Sequence, residues 1–488
     1  MIHRPIPPRI HVLAKPSGAT CNLACAYCFF LDKELLYPGS KFRMSEETLE
    51  TYIQQLIETH RSNQVTVAWQ GGEPTLMGVQ FYKRAIELQN QYRRSGMTFE
   101  NTMQTNGTLL NDEWCQFFKE NNFLIGLSLD GPRHLHDIYR VDKGGAPTFD
   151  KVMRGLRLLQ KHQVEYNILV TVNRITGDHP KQIYYFLRDE VGTSWIQFIP
   201  VIERMNPDGL NLVQEGDQVS NRSVLPVQFG RFLIQVFDEW VYNDVGRIFV
   251  QTFEAALRNW MQLPTSGMCV FEKTCGYGLA LEHNGDLYAC DHFVEPDYLL
   301  GNIIAENRAS PDALPMIELV GSERQYLFGQ NKHDSLPQYC LKCPVLFACN
   351  GECPKNRFLK TPDGKAGLNY LCAGYKAFFQ RVDEPMKIMA MLLNNSQPTS
   401  EVMQILAQKK EDLSRDYQDS KPARPCPCGS RLTYQECHGW KPTTRGRNKR
   451  SGGRGKPVGR PRPPVSGGIE RRSDKEHRKA TGLVRVDS

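Results

Sequence analysis

Cys21, Cys25 and Cys28 stand in CNLACAYC with the spacing C-x3-C-x2-C, close enough for three thiolates to converge on one iron–sulfur cluster. No fourth cysteine lies nearby, so a four-iron cluster held here keeps one iron open. An open iron suits a ligand that chelates through an amino and a carboxylate group, whereas four thiolates suit plain electron transfer. Eight more cysteines follow in a second group: Cys269, Cys275 and Cys290, then Cys340, Cys343, Cys349 and Cys353, then Cys372. Eight thiolates satisfy two four-iron clusters or two tetrahedral zinc sites, and spacing alone leaves both open. In a third group, PCPCGSRLTYQECHG, Cys426, Cys428, Cys437 and His438 offer four ligands to one structural zinc. The remaining cysteine, Cys115 in DEWCQFFKE, reads as a small buried hydrophobe.

These residues need a scaffold, and 488 residues at 40% apolar content are enough for two or three globular domains. The net charge of +7 belongs to the tail: residues 441–488 carry about 15 Lys and Arg against about 4 Asp and Glu, which leaves the rest of the chain slightly acidic. The first residues, MIHRPIPPRIHVLAKPSG, place prolines and charges where a signal peptide needs an apolar stretch, and no run long enough to span a membrane follows. A soluble, cytoplasmic protein is expected, in which cysteines serve metals rather than disulfides.

Short apolar or β-branched runs recur at Ile10–Ala14, Val65–Gln70, Asn101–Thr105, Phe123–Leu129, Tyr166–Val172 and Trp195–Val201, each followed by polar turns and a helical stretch. One such helix opens at Ser45, with Glu46, Glu47 and Thr48 behind it. Six βα units imply an α/β fold on a parallel sheet, with the loops at Cys21, Gln70–Pro74, Gln104–Gly107 and Ser128–Gly131 gathered at the carboxyl ends of its strands. From about Leu263 to Tyr375 the rhythm gives way to cysteine-rich loops, which predicts a second domain organised by metal. Residues 381–420 read as a helical extension with Met386, Ile388, Met389, Met391 and Leu392 on its packing face. The zinc motif occupies 421–440, and Gly, Pro, Arg and Lys dominate 441–488, a composition expected to be disordered.

In WQGGEP, Trp69–Pro74, Gly71 and Gly72 allow backbone to approach a ligand, and Glu73 or nearby carbonyls can accept from an ammonium group. With C-x3-C-x2-C one strand earlier, this loop resembles the radical S-adenosylmethionine (SAM) superfamily. The resemblance implies a partial (β/α)6 barrel over residues 8–245, a [4Fe–4S] cluster on Cys21, Cys25 and Cys28, and SAM on its open iron. By the same resemblance Tyr27 meets the adenine, Gly72 the methionine ammonium, Ser128 the ribose and Arg140 the carboxylate, with Gly71, Glu73, Asn106 and Val201 as further cofactor contacts. Residues 263–380 look like a SPASM domain, which implies two more [4Fe–4S] clusters, one on Cys269, Cys275, Cys290 and Cys353, the other on Cys340, Cys343, Cys349 and Cys372. The segment 425–440 resembles the SEC-C zinc motif.

CNLACAYCFF, WQGGEPTL, QTNGTLL, SLDGP and LYACDHFV are similar, in this order, to anaerobic sulfatase-maturating enzymes. That similarity implies oxidation of one Cys or Ser of an unfolded or nascent sulfatase to formylglycine, with Asp291 as the base and a reducing partner such as flavodoxin or ferredoxin. The charge of the basic tail suits RNA, an acidic membrane or an acidic partner. Two other readings stay open at this point: a radical SAM enzyme that modifies a different peptide, and a non-catalytic iron–sulfur carrier.

Overall fold

The computed structural model describes residues 10–205, 216–276, 278–304 and 314–419, with 413–419 as backbone alone. Six strands, β1 (His11–Lys15), β2 (Gln64–Trp69), β3 (Thr98–Thr105), β4 (Leu124–Ser128), β5 (Glu165–Val172) and β6 (Trp195–Pro200), pair in chain order and all run parallel. Each coincides with one of the apolar runs read from the sequence. Between them lie helices such as Glu46–Thr59, where the Thr48 backbone N–H donates to the Ser45 hydroxyl at 3.0 Å and caps the first turn. Cys115 lies fully buried in the helix Asp112–Glu120.

The sheet does not stop at six strands. A two-residue strand, β7 (Phe249–Val250), runs parallel to β6 at one edge. At the other, β8 (Gly278–Glu282) runs parallel to β1, and β9 (Asp286–Tyr288) and β10 (Leu299–Asn302) continue antiparallel. The ten-stranded order is β10-β9-β8-β1-β2-β3-β4-β5-β6-β7, an open sheet with β10 and β7 at its edges. The cysteine-rich half was expected to be loops around metal; instead its first strands extend the same sheet. These strands are only three to five residues long, too short for periodicity to announce them, although Asn284-Gly285 between β8 and β9 is a strong hairpin signal.

The helix Pro226–Asn243 packs on the helix Cys372–Asn394, and Gly230 and Gly374 let the two backbones touch: a Cβ on Gly230 would sit 2.6 Å from the Gly374 Cα. Met386, Met389 and Leu392 face this core, but Met391 is 51% exposed and Ile388 only partly buried. A stretch of nearly two helical turns cannot turn five of its seven residues inward, so the expected packing face was too wide. The extension consists of the C-terminal part of Cys372–Asn394 and a second helix, Glu401–Asp419, and the break between them includes Pro398. Of the described residues, those through Leu406 belong to one compact unit and Ala407–Asp419 to a second. The zinc motif and basic tail lie outside the described residues. Among the described residues no helix is long and apolar enough to cross a membrane.

Candidate active site

Because β1 to β4 are parallel, the loops after them share one end of the sheet. The cysteine loop after β1 is pinned there by Ala24 N–H to the Val141 carbonyl and Ala26 N–H to the Tyr139 carbonyl, each 2.9 Å. Burial pushes the Cys21 thiol up to about 12 and Cys25 up to about 11, raises Cys28, and puts Cys25 and Cys28 within electrostatic reach of Cys21. Thiols this hard to ionise become ligands when a cation stabilises the thiolate, which is what an iron cluster provides. The GGEP loop lies directly on this segment. Gly72 N–H donates to the Gly18 carbonyl at 2.8 Å and Glu73 N–H to the Thr20 carbonyl at 2.9 Å, and a Cβ on Gly72 would overlap that Thr20 oxygen. Gly71, at φ +112°, backs onto Lys15.

Glu73 is fully buried, and its carboxylate accepts from Thr75 N–H (3.1 Å), the Thr75 and Thr105 hydroxyls (2.6 and 2.7 Å) and Asn106 N–H (2.8 Å). It therefore clamps the β2 loop to the β3 loop, and carbonyls of the loop are the freer acceptors for an ammonium group. Asn106 in turn donates to the Asn22 side chain at 2.9 Å and approaches the Cys21 sulfur at 3.7 Å. Ser128, at the end of β4, accepts from Gln104 at 3.0 Å, and Val201, just past β6, is held to β5 by its N–H to the Val172 carbonyl at 2.9 Å.

Tyr27 and Arg140 meet over a residue that sequence reasoning left unassigned. The Asp130 carboxylate, fully buried in the SLDG turn, accepts from the Tyr27 hydroxyl, from Arg140 Nε at 3.0 Å, and from Thr171 N–H and hydroxyl at 2.9 and 2.7 Å. Burial opposes the charge, but Arg140, His136 and these donors hold Asp130 below the usual carboxylate range. The Arg140 guanidinium also lies 5.7 Å from the Tyr27 ring centre, beneath the cysteine loop. The inward face of the sheet is polar in the same region. Gln104, Gly126 and Asn167 stand in register across β3, β4 and β5; a Cβ on Gly126 would collide with Gln104, and the Asn167 side-chain oxygen is buried with no partner. A row of amides beside a glycine cradle fits a polar cofactor better than it fits a core.

The eight later cysteines separate into two neighbourhoods. Cys353 lies in the electrostatic field of Cys269, Cys275 and Cys290, with burial pushing Cys353 up to about 12. Cys340 and Cys372 lie within the electrostatic field that acts on Cys349, and Cys343 acts on both of them. All twelve described cysteines are free thiols, and among the described residues no three His, Cys, Asp or Glu side chains converge tightly enough for a single metal ion.

Asp291 follows Cys290 and opens a short 3-10 turn, Asp291–Phe293. Its Oδ1 lies 2.7 Å from the Nζ of Lys15, the last residue of β1, which also stands 3.6 Å from Glu282 Oε1. Although burial works against it, Lys15 and then His292 hold the Asp291 carboxyl below its ordinary range, which keeps it ionised. Lys15 was not singled out from the sequence, because its partners lie on the far side of the chain and only the β1–β8 pairing brings them together.

The fold and the cysteine loop define a radical SAM protein, and the radical SAM superfamily model matches residues 16–187, with the SEC-C motif model matching 425–439. A serine-type anaerobic sulfatase-maturating enzyme of Bacteroides thetaiotaomicron is 46% identical over 422 residues, 85% of this chain and 99% of that protein. A cysteine-type anaerobic sulfatase-maturating enzyme of Clostridium perfringens is 33% identical over 377 residues, 76% of this chain and 96% of that one. The solved structure of native anSMEcpe with bound AdoMet and Cp18Cys peptide superposes with a TM-score of 0.69 at 31% identity, covering 79% of this chain and all of that one. This chain belongs to the anaerobic sulfatase-maturating enzyme family.

Proposed function

We propose that this protein oxidises one Cys or Ser side chain of a sulfatase to formylglycine, with Cys21, Cys25 and Cys28 holding the cluster that binds SAM. Cys269, Cys275, Cys290 and Cys353 hold a second [4Fe–4S] cluster, and Cys340, Cys343, Cys349 and Cys372 a third. Bound together, these groups supply hydrogen-atom abstraction at the substrate carbon and an outlet for one electron. Arg140, paired with Asp130, and Tyr27 shape the SAM pocket with Ser128, Asn106 and Val201; Gly71 and Gly72 let the β2 loop lie against it. Asp291 takes the thiol or hydroxyl proton. Loss of one hydrogen atom, one proton and one electron turns the CH2–OH of serine into the aldehyde; the cysteine product, a thioaldehyde, takes water and releases sulfide.

One observation carries this reading: a carboxylate next to a cysteine of the second set is held by the last residue of the strand that leads into the first. A base and a neighbouring electron acceptor are what a two-electron oxidation needs beyond SAM cleavage, and a plain carrier needs no base. The substrate is an unfolded or nascent sulfatase chain and the site of action the cytoplasm, with a flavodoxin or ferredoxin as reductant. Cys426, Cys428, Cys437 and His438 hold one zinc.

The test is anaerobic incubation of the reconstituted protein with reductant, SAM and a peptide bearing C/S-x-P-x-R. An aldehyde at the Cys or Ser, lost in Asp291→Asn with its iron content unchanged, is the expected result. An unchanged peptide despite SAM cleavage removes the substrate assignment, and an undiminished aldehyde yield from Asp291→Asn removes the base.

A further inference from the structure

We infer that Lys15 is a positioning residue for the reaction, the side chain that fixes Asp291 against the cysteine and GGEP loops. The inference rests on the proposed role of Asp291 as base and goes on to say what aims it. Lys15 ends β1, and its side chain is 1% exposed. A fully buried ammonium persists only if neutralised, and it faces Asp291 Oδ1 at 2.7 Å, Glu282 Oε1 at 3.6 Å and the Phe30 ring centre at 4.4 Å. Glu282 is fixed by register, since Lys15 and Glu282 are paired positions on the parallel strands β1 and β8. Phe30 belongs to the segment just after Cys28, and a Cβ on Gly71 would lie 3.2 Å from the Lys15 Cβ, so the first glycine of GGEP packs on the lysine stem.

One residue thus touches all three parts whose separation decides the chemistry. Its stem supports the GGEP loop, its charge lies over an aromatic ring of the cysteine loop, and its Nζ forms an ion pair with the carboxylate beside Cys290. Glu282 and Asp291 are two carboxylates sharing one cation. Without that cation they repel, and Asp291 swings away from the place where SAM and substrate must meet. An error of about 1 Å in such a position lowers product formation by about 100-fold while leaving earlier steps nearly intact.

Lys15→Met keeps the stem and removes the charge; Lys15→Arg keeps a charge. In reconstituted protein, Lys15→Met is expected to keep its iron content and to cleave SAM within about 3-fold of the parent rate, while the yield of formylglycine per 5′-deoxyadenosine falls about 100-fold. Lys15→Arg restores at least a tenth of that ratio. A readout independent of turnover is a double-mutant cycle on thermal unfolding of the reconstituted proteins without SAM: Lys15→Met and Asp291→Asn together shift the midpoint by clearly less than the sum of the single shifts. Parent-like coupling of formylglycine to deoxyadenosine in Lys15→Met overturns the inference, as do loss of iron, which makes Lys15 merely structural, and additive shifts. If Asp291→Asn itself makes formylglycine normally, it is the base assignment that fails.

Discussion

Asp130 shows how one side chain can carry a site that touches several elements. It joins Tyr27 of the cysteine loop, Arg140 and Thr171 of β5, and it is the counter-charge of an arginine buried nearly as deeply as itself. Asp130→Asn leaves Arg140 buried without its anion, and is expected to cost about 3–5 kcal/mol in unfolding free energy and to abolish SAM binding, read by thermal unfolding and by equilibrium dialysis. Glu254 makes the opposite case. Burial pushes its carboxyl up to about 7, so the folded protein binds that proton more tightly than the unfolded chain does. Its contribution to stability is complete below the ordinary value of 4.5 and is lost as pH rises through about 7. Glu254→Gln should therefore raise the melting temperature by about 2–4 °C above neutral pH and give no gain in acid. Of these residues the sequence offered Tyr27 and Arg140 through their motifs; Asp130 stood in the quoted SLDG and went unassigned, because a carboxylate's partners are invisible until the chain folds.

The six strands that carry the site were readable as elements because they are short apolar or β-branched runs set between helix-period stretches, and burial followed the pattern in β2, where Val65, Val67 and Trp69 are all fully buried. β8 was not readable. Gly278, Leu279 and Ala280 have no pattern of their own, and the strand exists because β1 offers an edge to pair with. That pairing sets the distance between the cysteine loop and Asp291. A second junction is the crossing of Pro226–Asn243 with Cys372–Asn394, where a Cβ on Gly374 would overlap the Pro226 carbonyl. Gly374→Ala is expected to cost about 1–3 kcal/mol, and, because Cys372 begins that helix, to reduce the iron held by Cys340, Cys343, Cys349 and Cys372 while sparing the other clusters; Mössbauer spectroscopy with iron analysis reads both.

At the scale of the whole molecule, a single ten-stranded sheet supports both the expected SAM centre and the strand that leads to Asp291. Metal counts follow directly. The reconstituted chain should hold about twelve irons and one zinc, whereas about four irons with three zincs would mean that the eight later cysteines bind zinc. The central claim is that the substrate's side-chain carbon gives up a hydrogen atom at a site where Asp291 takes the proton. The most direct measurement uses a sulfatase peptide deuterated at that carbon in its target Cys or Ser. Mass spectrometry after anaerobic turnover should find deuterium in the 5′-deoxyadenosine and an aldehyde on the same peptide; unlabelled deoxyadenosine beside an unchanged peptide would contradict the account.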